Sequence, residues 1–282
     1  MEYLMTYGWA ILVVAIILIA LFQLGIFGSQ SVGIPAGACQ VYRPYGPGSS
    51  TDISIAGMCK AQPKFVVNEG PVSSGSISLA SSIQSSMQKS QELTITAWVQ
   101  ERKTVYSCNG SGVGGIGATA MIFETSSEYF YTGGCFNLGF FAQGQGDWSS
   151  LSFPHSNHWY FVAVEYNGTS NTLPNLVFYL NTQSQEYSVP TGLVQASTGA
   201  YLDAGFNGSV ANVQIYNTSL STNEINALYM EGIGGAPIDP VHITGWWSLN
   251  GNVNDYSGEG NSGYLAGGVG YSSLWHSNYT QP

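Results

Sequence analysis

The distribution of apolar and polar residues divides the chain into two unequal parts. Every residue from Trp9 to Phe22 is apolar, and the surrounding segment from Met1 to Phe27 contains no proline. As one helix this segment would be about 40 Å long, and roughly 20 apolar residues suffice to cross a bilayer. Because such a helix is apolar on every face, it must be buried all round, in lipid or among other helices.

After Phe27 the apolar run gives way to short segments. Gly28 to Ala38 is rich in Gly, Ser and Pro and is interpreted as a connector. The residues between Cys39 and Cys59 contain a Pro-Gly turn followed by an alternating segment, which is typical of a hairpin or collar. We therefore assign residues 1–27 to a hydrophobic helix, 28–63 to a linker and collar, and 64–282 to a folded head.

The head shows strand-like runs separated by Gly, Asn, Ser and Pro about every ten residues. One helix is predicted over Glu224–Glu231, because Ser221 and Glu224 form a capping box and Gly232 ends the pattern. The pattern therefore predicts a mainly β protein, a sandwich or jelly roll. The clearest predicted strands are Leu93–Gln100, Ala120–Thr125, Phe136–Ala142, Trp159–Tyr166, Leu176–Asn181 and Ser209–Tyr216.

Charge is scarce and unevenly distributed. Only 8 % of residues are charged while 13 % are aromatic, and the net charge is −10. This polar, uncharged composition indicates an extracellular protein. Without clustered cations after residue 103, the chain lacks the means to neutralise phosphates, which excludes nucleic acid and anionic membrane surfaces as partners of that part. The six basic residues are Arg43, Lys60, Lys64, Lys89, Arg102 and Lys103.

Cysteines and sequons support the extracellular interpretation. An even number of cysteines in an exported chain predicts two disulfides, and sequence separation favours Cys39–Cys59, which would close the collar, and Cys108–Cys135. A zinc site is the alternative, but the sequence contains no Cys-x-x-Cys pair. Asn-x-Ser/Thr sequons predict glycosylation at five asparagines. Three of them, Asn109, Asn167 and Asn278, lie outside predicted strands, and the other two are Asn207 and Asn217.

Candidate catalytic groups are sparse, and we predict no enzymatic activity. A glycosidase needs two carboxylates across the scissile bond, and the nearest pair, Glu124 and Glu128, is interpreted as turn and edge acids. His155 and His158 have no Ser or Cys nucleophile nearby and are interpreted as loop residues. The glycine-rich run Gly110–Gly117 lacks the lysine of a phosphate-binding loop.

Aromatic residues offer a different candidate site. Tyr129, Tyr131 and Trp148 are expected on loops near Asp147, where their rings would stack on sugar rings. Because a sandwich core also needs many aromatic residues, packing is an equally good interpretation of these three.

The string MEYLMTYGWAILVVAIILIALFQLGIF resembles the N-terminal helix of archaeal type IV pilin-like proteins. The resemblance implies a helix that is first inserted in the membrane and then packs with copies of itself in the core of an extracellular filament. It places Glu2, Tyr3, Tyr7 and Trp9 in the assembly contacts. The helix dipole stabilises an acid such as Glu2 at a helix start. That family's basic leader is not in this sequence, and a single-span membrane anchor is the alternative.

The motifs LTITAWV, HSNHWYFVAVEYNGT, LVFYLN and FNGSVANVQIYNTSLSTNEINALYMEG resemble, in this order, laminin-G-like, concanavalin A-like domains. The resemblance implies a two-sheet jelly roll that binds glycans or proteins. Some members bind Ca²⁺, for which Asp147, Asp203 and Asp255 are candidates, although no spaced oxygen-ligand motif is present. The family's opening segment stands instead at Gly245–Gly268, which indicates a circular permutation or a truncated second repeat. We favour the permutation.

These observations predict a structural subunit of an extracellular, archaeal type IV pilus-like filament, without a required cofactor. The helix would lie in the filament core, and the laminin-G-like head would lie outside for adhesion or for binding glycans or proteins. Two alternatives stay open: a monomeric, membrane-anchored surface carbohydrate-binding protein and a surface glycoside hydrolase.

Overall fold

A computed structural model describes residues 38–42, 50–54, 63–68, 75–102, 120–132, 137–169, 173–194, 198–204, 208–276, 279–280 and 282. Of residues 38–42, 50–54, 120, 203 and 204 it describes the backbone alone. The chain divides into two units, Met1–Ala36 and Gly37–Pro282, and the predicted helix Met1–Phe27 lies outside the described residues. Within the described ranges, none of the helices has the length and apolar character needed to span a membrane.

The described residues are mainly β. The first strands, β1 (Ala38–Tyr42) and β2 (Ser50–Ser54), form an antiparallel pair within the segment expected to contain a hairpin. The remaining elements are, in chain order, β3 (Val66–Asn68), β4 (Ser76–Leu79), α1 (Ser82–Met87), β5 (Glu92–Glu101), β6 (Ala120–Thr125), β7 (Glu128–Thr132), β8 (Asn137–Ala142), β9 (Gln145–Ser152), β10 (Trp159–Asn167), β11 (Leu176–Leu180), β12 (Gln183–Tyr187), β13 (Ala200–Ala204), β14 (Gly208–Tyr216), α2 (Thr222–Glu231), β15 (Ile243–Trp247), β16 (Gly263–Ala266) and β17 (Gly270–Ser272).

The predicted elements of the head are confirmed. Strands β5, β6, β8, β10, β11 and β14 match the six predicted strands within one residue at each end. The capping box is also present, since Glu224 N donates to Ser221 Oγ at 3.4 Å and Ser221 N donates to Glu224 Oε2 at 2.8 Å. Helix α2 therefore begins at Thr222, two residues earlier than predicted.

Two large antiparallel sheets form a sandwich. The eight-stranded sheet has the order β12-β11-β10-β5-β14-β3-β17, with β15 also paired to β14, and the seven-stranded sheet has the order β16-β4-β13-β6-β7-β8-β9. Their facing sides form one apolar core, because alternate residues of each strand point to the same side. Phe123, Phe130 and Phe140 of the seven-stranded sheet pack there with Ile95 and Val164 of the eight-stranded sheet.

The second face of the eight-stranded sheet is buried as well. Trp98 and Trp246 lie on this face in an apolar cluster that includes Ile225 and Leu228 of α2 and Trp275 near the C-terminus. Trp275 also donates a hydrogen bond from Nε1 to Pro63 O at 3.0 Å. The eight-stranded sheet is therefore the middle layer, between the seven-stranded sheet and a layer made of α2 and C-terminal residues.

The C-terminal segment contributes strands to both sheets. β15 pairs with β14 and β17 pairs with β3 in the eight-stranded sheet, while β16 pairs with β4 in the seven-stranded sheet. Trp247 of β15 is fully buried in the core between the sheets. Within the segment that resembles the opening of the family, β16 thus lies beside β4 from the start of the head.

Candidate functional site

Strand register places one residue from each strand of the seven-stranded sheet in a single transverse row. Their chain neighbours Ile77, Leu202 and Phe140 belong to the core, so alternation turns the row outward. With strands about 4.8 Å apart, the row is about 29 Å long. This long row consists of Tyr264, Ser78, Tyr201, Glu124, Tyr129, Phe141 and Gly146.

A short row lies beside the long row on the same face. Register pairs Tyr131 of β7 with Gly139 of β8, and Gly139 with Trp148 of β9. The rings of Tyr131 and Trp148 meet edge to face across the glycine, with centroids 4.7 Å apart and planes at 83°. A Cβ atom at Gly139 would lie 2.7 Å from Tyr131 Cε2. The missing side chain therefore lets the tyrosine ring lie against the backbone of β8.

The aromatic rings differ in how far they reach solvent. Tyr264 is 65 % exposed and Phe141 is 37 % exposed, while Tyr129, Tyr201 and Trp148 are half-buried. Tyr131 is only 6 % exposed, and its burial together with the charge of Asp147 raises its pKa to about 12. Tyr131 therefore supports Trp148 as a neutral ring, and the other five offer accessible surface.

One carboxylate lies within the long row. Glu124 is half-buried, directly opposite Tyr201 on one side and Tyr129 on the other. Burial raises the pKa of Glu124, and among the described residues none donates a hydrogen bond to its carboxylate. Glu128 points the other way: it is 1 % exposed and accepts a hydrogen bond from the Thr125 hydroxyl. The two acids thus lie on opposite faces of the sheet, flanking the turn between β6 and β7.

The expected loop positions of the three candidate aromatic residues are wrong. Tyr129 and Tyr131 lie in β7 and Trp148 lies in β9. The sequence EYFYT hides the strand period, because the inward Phe130 and the outward tyrosines are all aromatic. Even so, the structure brings the three residues to one face. His155 and His158 do lie in the loop before β10, with ring centroids 5.2 Å apart.

Sequence reasoning missed three aromatic members of this face. Phe141, Tyr201 and Tyr264 come from β8, β13 and β16, which are far apart in sequence. Their individual strands show outward aromatic positions, but only the pairing of β4 with both β13 and β16 brings Tyr264 and Tyr201 to either side of Ser78.

Asp255 is one of the candidate calcium ligands whose side chain is described. Asp255 already accepts four hydrogen bonds, from Trp246 N, Ser257 N, Ser257 Oγ and Asn261 N at 2.7–3.0 Å. Its carboxylate therefore holds the loop after β15 in place. The side chain of Asp203 lies outside the described residues, and no cluster of three potential ligands occurs among the described side chains.

Some predicted modification and assembly residues have a described environment. Asn167 ends β10, and its Oδ1 accepts hydrogen bonds from N and Oγ1 of Thr169 in its own sequon, at 3.2 and 2.9 Å. Asn217 follows β14, and its Nδ2 donates to Ser86 O at 3.4 Å. The backbone of Cys39 lies in β1. The following residues lie outside the described ranges: Asn109, Asn207, Asn278, Cys59, Cys108, Cys135, Glu2, Tyr3, Tyr7 and Trp9.

The two antiparallel sheets, with one apolar core between them, define a two-layer β-sandwich. Residues 73–226 match the Concanavalin A-like lectin/glucanases superfamily. Because this match spans more than half of the chain, the protein belongs to that superfamily.

Solved structures with this fold are distant in sequence. A candidate carbohydrate binding protein from Bacteroides ovatus superposes with a TM-score of 0.51 at 14 % identity, covering 76 % of this chain. The chain spans only 61 % of the Bacteroides protein, and a likeness at this identity shows the fold alone. A heptameric SAP-like pentraxin from Limulus polyphemus gives a TM-score of 0.38 at 10 % identity, covering 76 % of this chain and 93 % of the pentraxin. No curated protein sequence matches the chain.

Proposed function

We propose that the head is a glycan-binding module and that the long and short rows together form its binding face. The observation that carries this proposal is the accessible series of rings on one sheet face: Tyr129, Tyr201, Phe141, Tyr264 and Trp148. Aromatic rings present large, rigid apolar faces, and the apolar face of a sugar ring stacks on such a surface. The Bacteroides protein that shares this fold is named as a candidate carbohydrate binding protein, which agrees with this proposal.

The geometry favours an extended glycan over a single sugar. Tyr264 and Phe141 lie on β16 and β8, five strands apart in the sheet order, which corresponds to about 24 Å. One sugar ring contacts one or two strands at a time, so a chain of sugars is needed to use the whole row. Ser78 and Glu124 supply hydrogen-bonding groups between the rings.

We propose that this face binds without cleaving. A glycosidase positions two carboxylates about 5–9 Å apart across the scissile bond. Among the described side chains of the two rows, Glu124 is the only carboxylate, and Glu128 points into the core. Incubation with neutral polysaccharides should therefore release no new reducing ends, and steady release that is lost in Glu124→Gln would contradict this proposal.

Affinity electrophoresis in native gels tests the binding proposal. Full-length protein is run in a polyoxyethylene detergent, which carries no sugar headgroup, through gels containing mixed-linkage β-glucan, galactomannan or arabinoxylan. At least one of these neutral polysaccharides should retard the wild type. Phe141→Ala should weaken that retardation about fivefold, since an aromatic contact contributes about 1 kcal/mol.

Phe65→Ala is the matched control, because Phe65 and Phe141 are both 37 % exposed. Phe65 precedes β3 of the other sheet, so its loss should leave retardation unchanged. Equal retardation of the Phe141→Ala and Phe65→Ala proteins, or no retardation of the wild type by any of the three polysaccharides, would reject the proposed face.

We further propose that Met1–Phe27 assemble copies of this chain into an extracellular filament that displays the head. The support lies in the sequence: the segment is apolar on every face, so that packing among copies of itself would bury all its faces, and it carries the single acid Glu2. Electron microscopy of material sheared from cells, with the head labelled by antibody, tests this role. Recovery of the chain only as membrane-bound monomers would favour the anchored alternative.

A further inference from the structure

All charged residues in the strands of the seven-stranded sheet are acidic. None of its strands contains Lys, Arg or His, whereas Glu124, Glu128, Asp147 and Asp203 all lie in them. The described basic residues Lys64, Lys89 and Arg102 lie outside these strands. A sugar carboxylate, sulfate or phosphate on this face would therefore find no cation within the sheet to pair with.

Glu124 is the only carboxylate among the described side chains of the long row. It lies at the centre of the long row, with three row members on each side: Tyr264, Ser78 and Tyr201, then Tyr129, Phe141 and Gly146. Its carboxylate receives no hydrogen bond from a described residue, and burial raises its pKa. Sugar hydroxyl groups that donate to this half-buried carboxylate would offset the hydration that it has lost through burial.

We propose that Glu124 determines the class of glycan that binds: neutral sugars are accepted through their hydroxyl groups, and acidic sugars are excluded. Hydroxyl groups of a sugar stacked on Tyr201 or Tyr129 would donate to the carboxylate, and such charge-assisted bonds are about twice as strong as neutral ones. An anionic sugar in the same place would put two like charges close together in a partly desolvated site. This inference rests on the proposed binding face.

A pair of soluble polysaccharides with one backbone tests the selectivity. Hydroxyethyl cellulose is neutral and carboxymethyl cellulose is anionic, so the ratio of the two apparent dissociation constants isolates the effect of ligand charge. The full-length wild type is run at pH 8 in gels that contain one of the two cellulose derivatives. The reference is whichever of mixed-linkage β-glucan, galactomannan and arabinoxylan, called here the neutral panel, retards it most. The wild type should prefer the neutral polymer at least about tenfold.

Substitutions at Glu124 separate its two roles. Glu124→Gln keeps the shape but removes the charge, so it should weaken neutral binding about threefold to tenfold and reduce the preference over the anionic polymer. Glu124→Lys should reverse the preference. Glu186→Lys is the matched control, since it makes the same change of net charge at an exposed position of β12 in the other sheet; it should leave the preference unchanged.

The outcomes distinguish this inference from the proposed binding face. Loss of binding in Phe141→Ala with an unchanged neutral-to-anionic ratio in both Glu124 variants would overturn the inference and leave the face intact. A similar shift of the ratio in Glu124→Lys and Glu186→Lys would overturn it too, because net charge would then explain the selectivity. A wild type that neither polymer nor the neutral panel retards would overturn both.

Discussion

Glu101 shows how a single carboxyl group couples the stability of this fold to pH. It ends β5, where Val99 and Ala97 point into the inter-sheet core on alternate positions, so its side chain is directed between the sheets. Burial raises its pKa from 4.5 to about 8, and the neighbouring Thr132 hydroxyl offsets only part of this rise. The Thr132 hydroxyl is near enough to act on this pKa, but no hydrogen bond of ordinary geometry to Glu101 Oε2 or Thr132 Oγ1 is present among the described residues.

The raised pKa predicts that stability falls as pH rises. The folded protein retains the Glu101 proton up to about pH 8, whereas the unfolded chain loses it near pH 4.5. Unfolding between these values therefore releases a proton, and the free energy of unfolding decreases as pH increases through this window. Glu101→Gln should flatten the decrease, which thermal unfolding at pH 5, 6, 7 and 8 will measure.

The control for this pH series is Glu259→Gln, at an exposed loop position. It should follow the wild-type pH dependence, because an exposed carboxyl group has the same surroundings in both states. Parallel curves for the wild type and Glu101→Gln would show that Glu101 of the folded protein does not retain its proton through this pH window.

At the scale of secondary-structure elements, the C-terminal strands hold the two sheets together. β15 lies against β14, and Trp247 donates a hydrogen bond from Nε1 to Asn261 O at 3.0 Å. β16 and β17 follow in succession and pair with different sheets. The segment that resembles a family opening therefore pairs with strands of both sheets.

Removal of residues 243–282 should abolish cooperative unfolding of the head. The deletion removes three buried tryptophans, Trp246, Trp247 and Trp275, and exposes the edges of β14, β3 and β4. Urea unfolding followed by near-ultraviolet circular dichroism will measure the loss. Leu274→Ala, in the same segment but 86 % exposed, should unfold like the wild type. A truncated protein with an equally sharp transition would instead favour the interpretation as a truncated repeat.

At the scale of the whole molecule, the chain joins an apolar N-terminal segment to a head with a low density of charge. If the proposed filament is correct, Glu2→Ala should reduce assembly and leave the head folded, because the dipole of the proposed helix or a neighbouring copy would stabilise the acid. The yield of sheared filaments and the thermal unfolding of the head measure the two effects separately.

Glu2→Gln gives the matched comparison, since it keeps the size and hydrogen-bonding groups of the side chain without its charge. A yield reduced equally by Gln and Ala would assign the effect to the charge. Normal filament yield from Glu2→Ala would contradict the assembly role of this residue.

The sequence by itself determined the mainly β class, six strands and the helix α2. These elements depend on local signals: a continuous apolar run in β10, an alternating stretch in β14, and the Ser221–Glu224 capping box, which involves residues three apart. It did not reveal β9 or β12, whose sequences QGDWSSLS and QSQEY are largely polar because these strands lie at sheet edges. Local apolar alternation is weak wherever a strand buries little.

Only the tertiary structure decided which residues share the candidate binding face. Tyr264, Tyr201 and Phe141 join Glu124 and Tyr129 through the pairing of strands that are distant in the sequence. A shift of one residue in any of these pairings would turn the partner side chain to the core, so the row depends on register. Register is fixed by the packing of the whole core between the two sheets, which no local stretch of sequence contains.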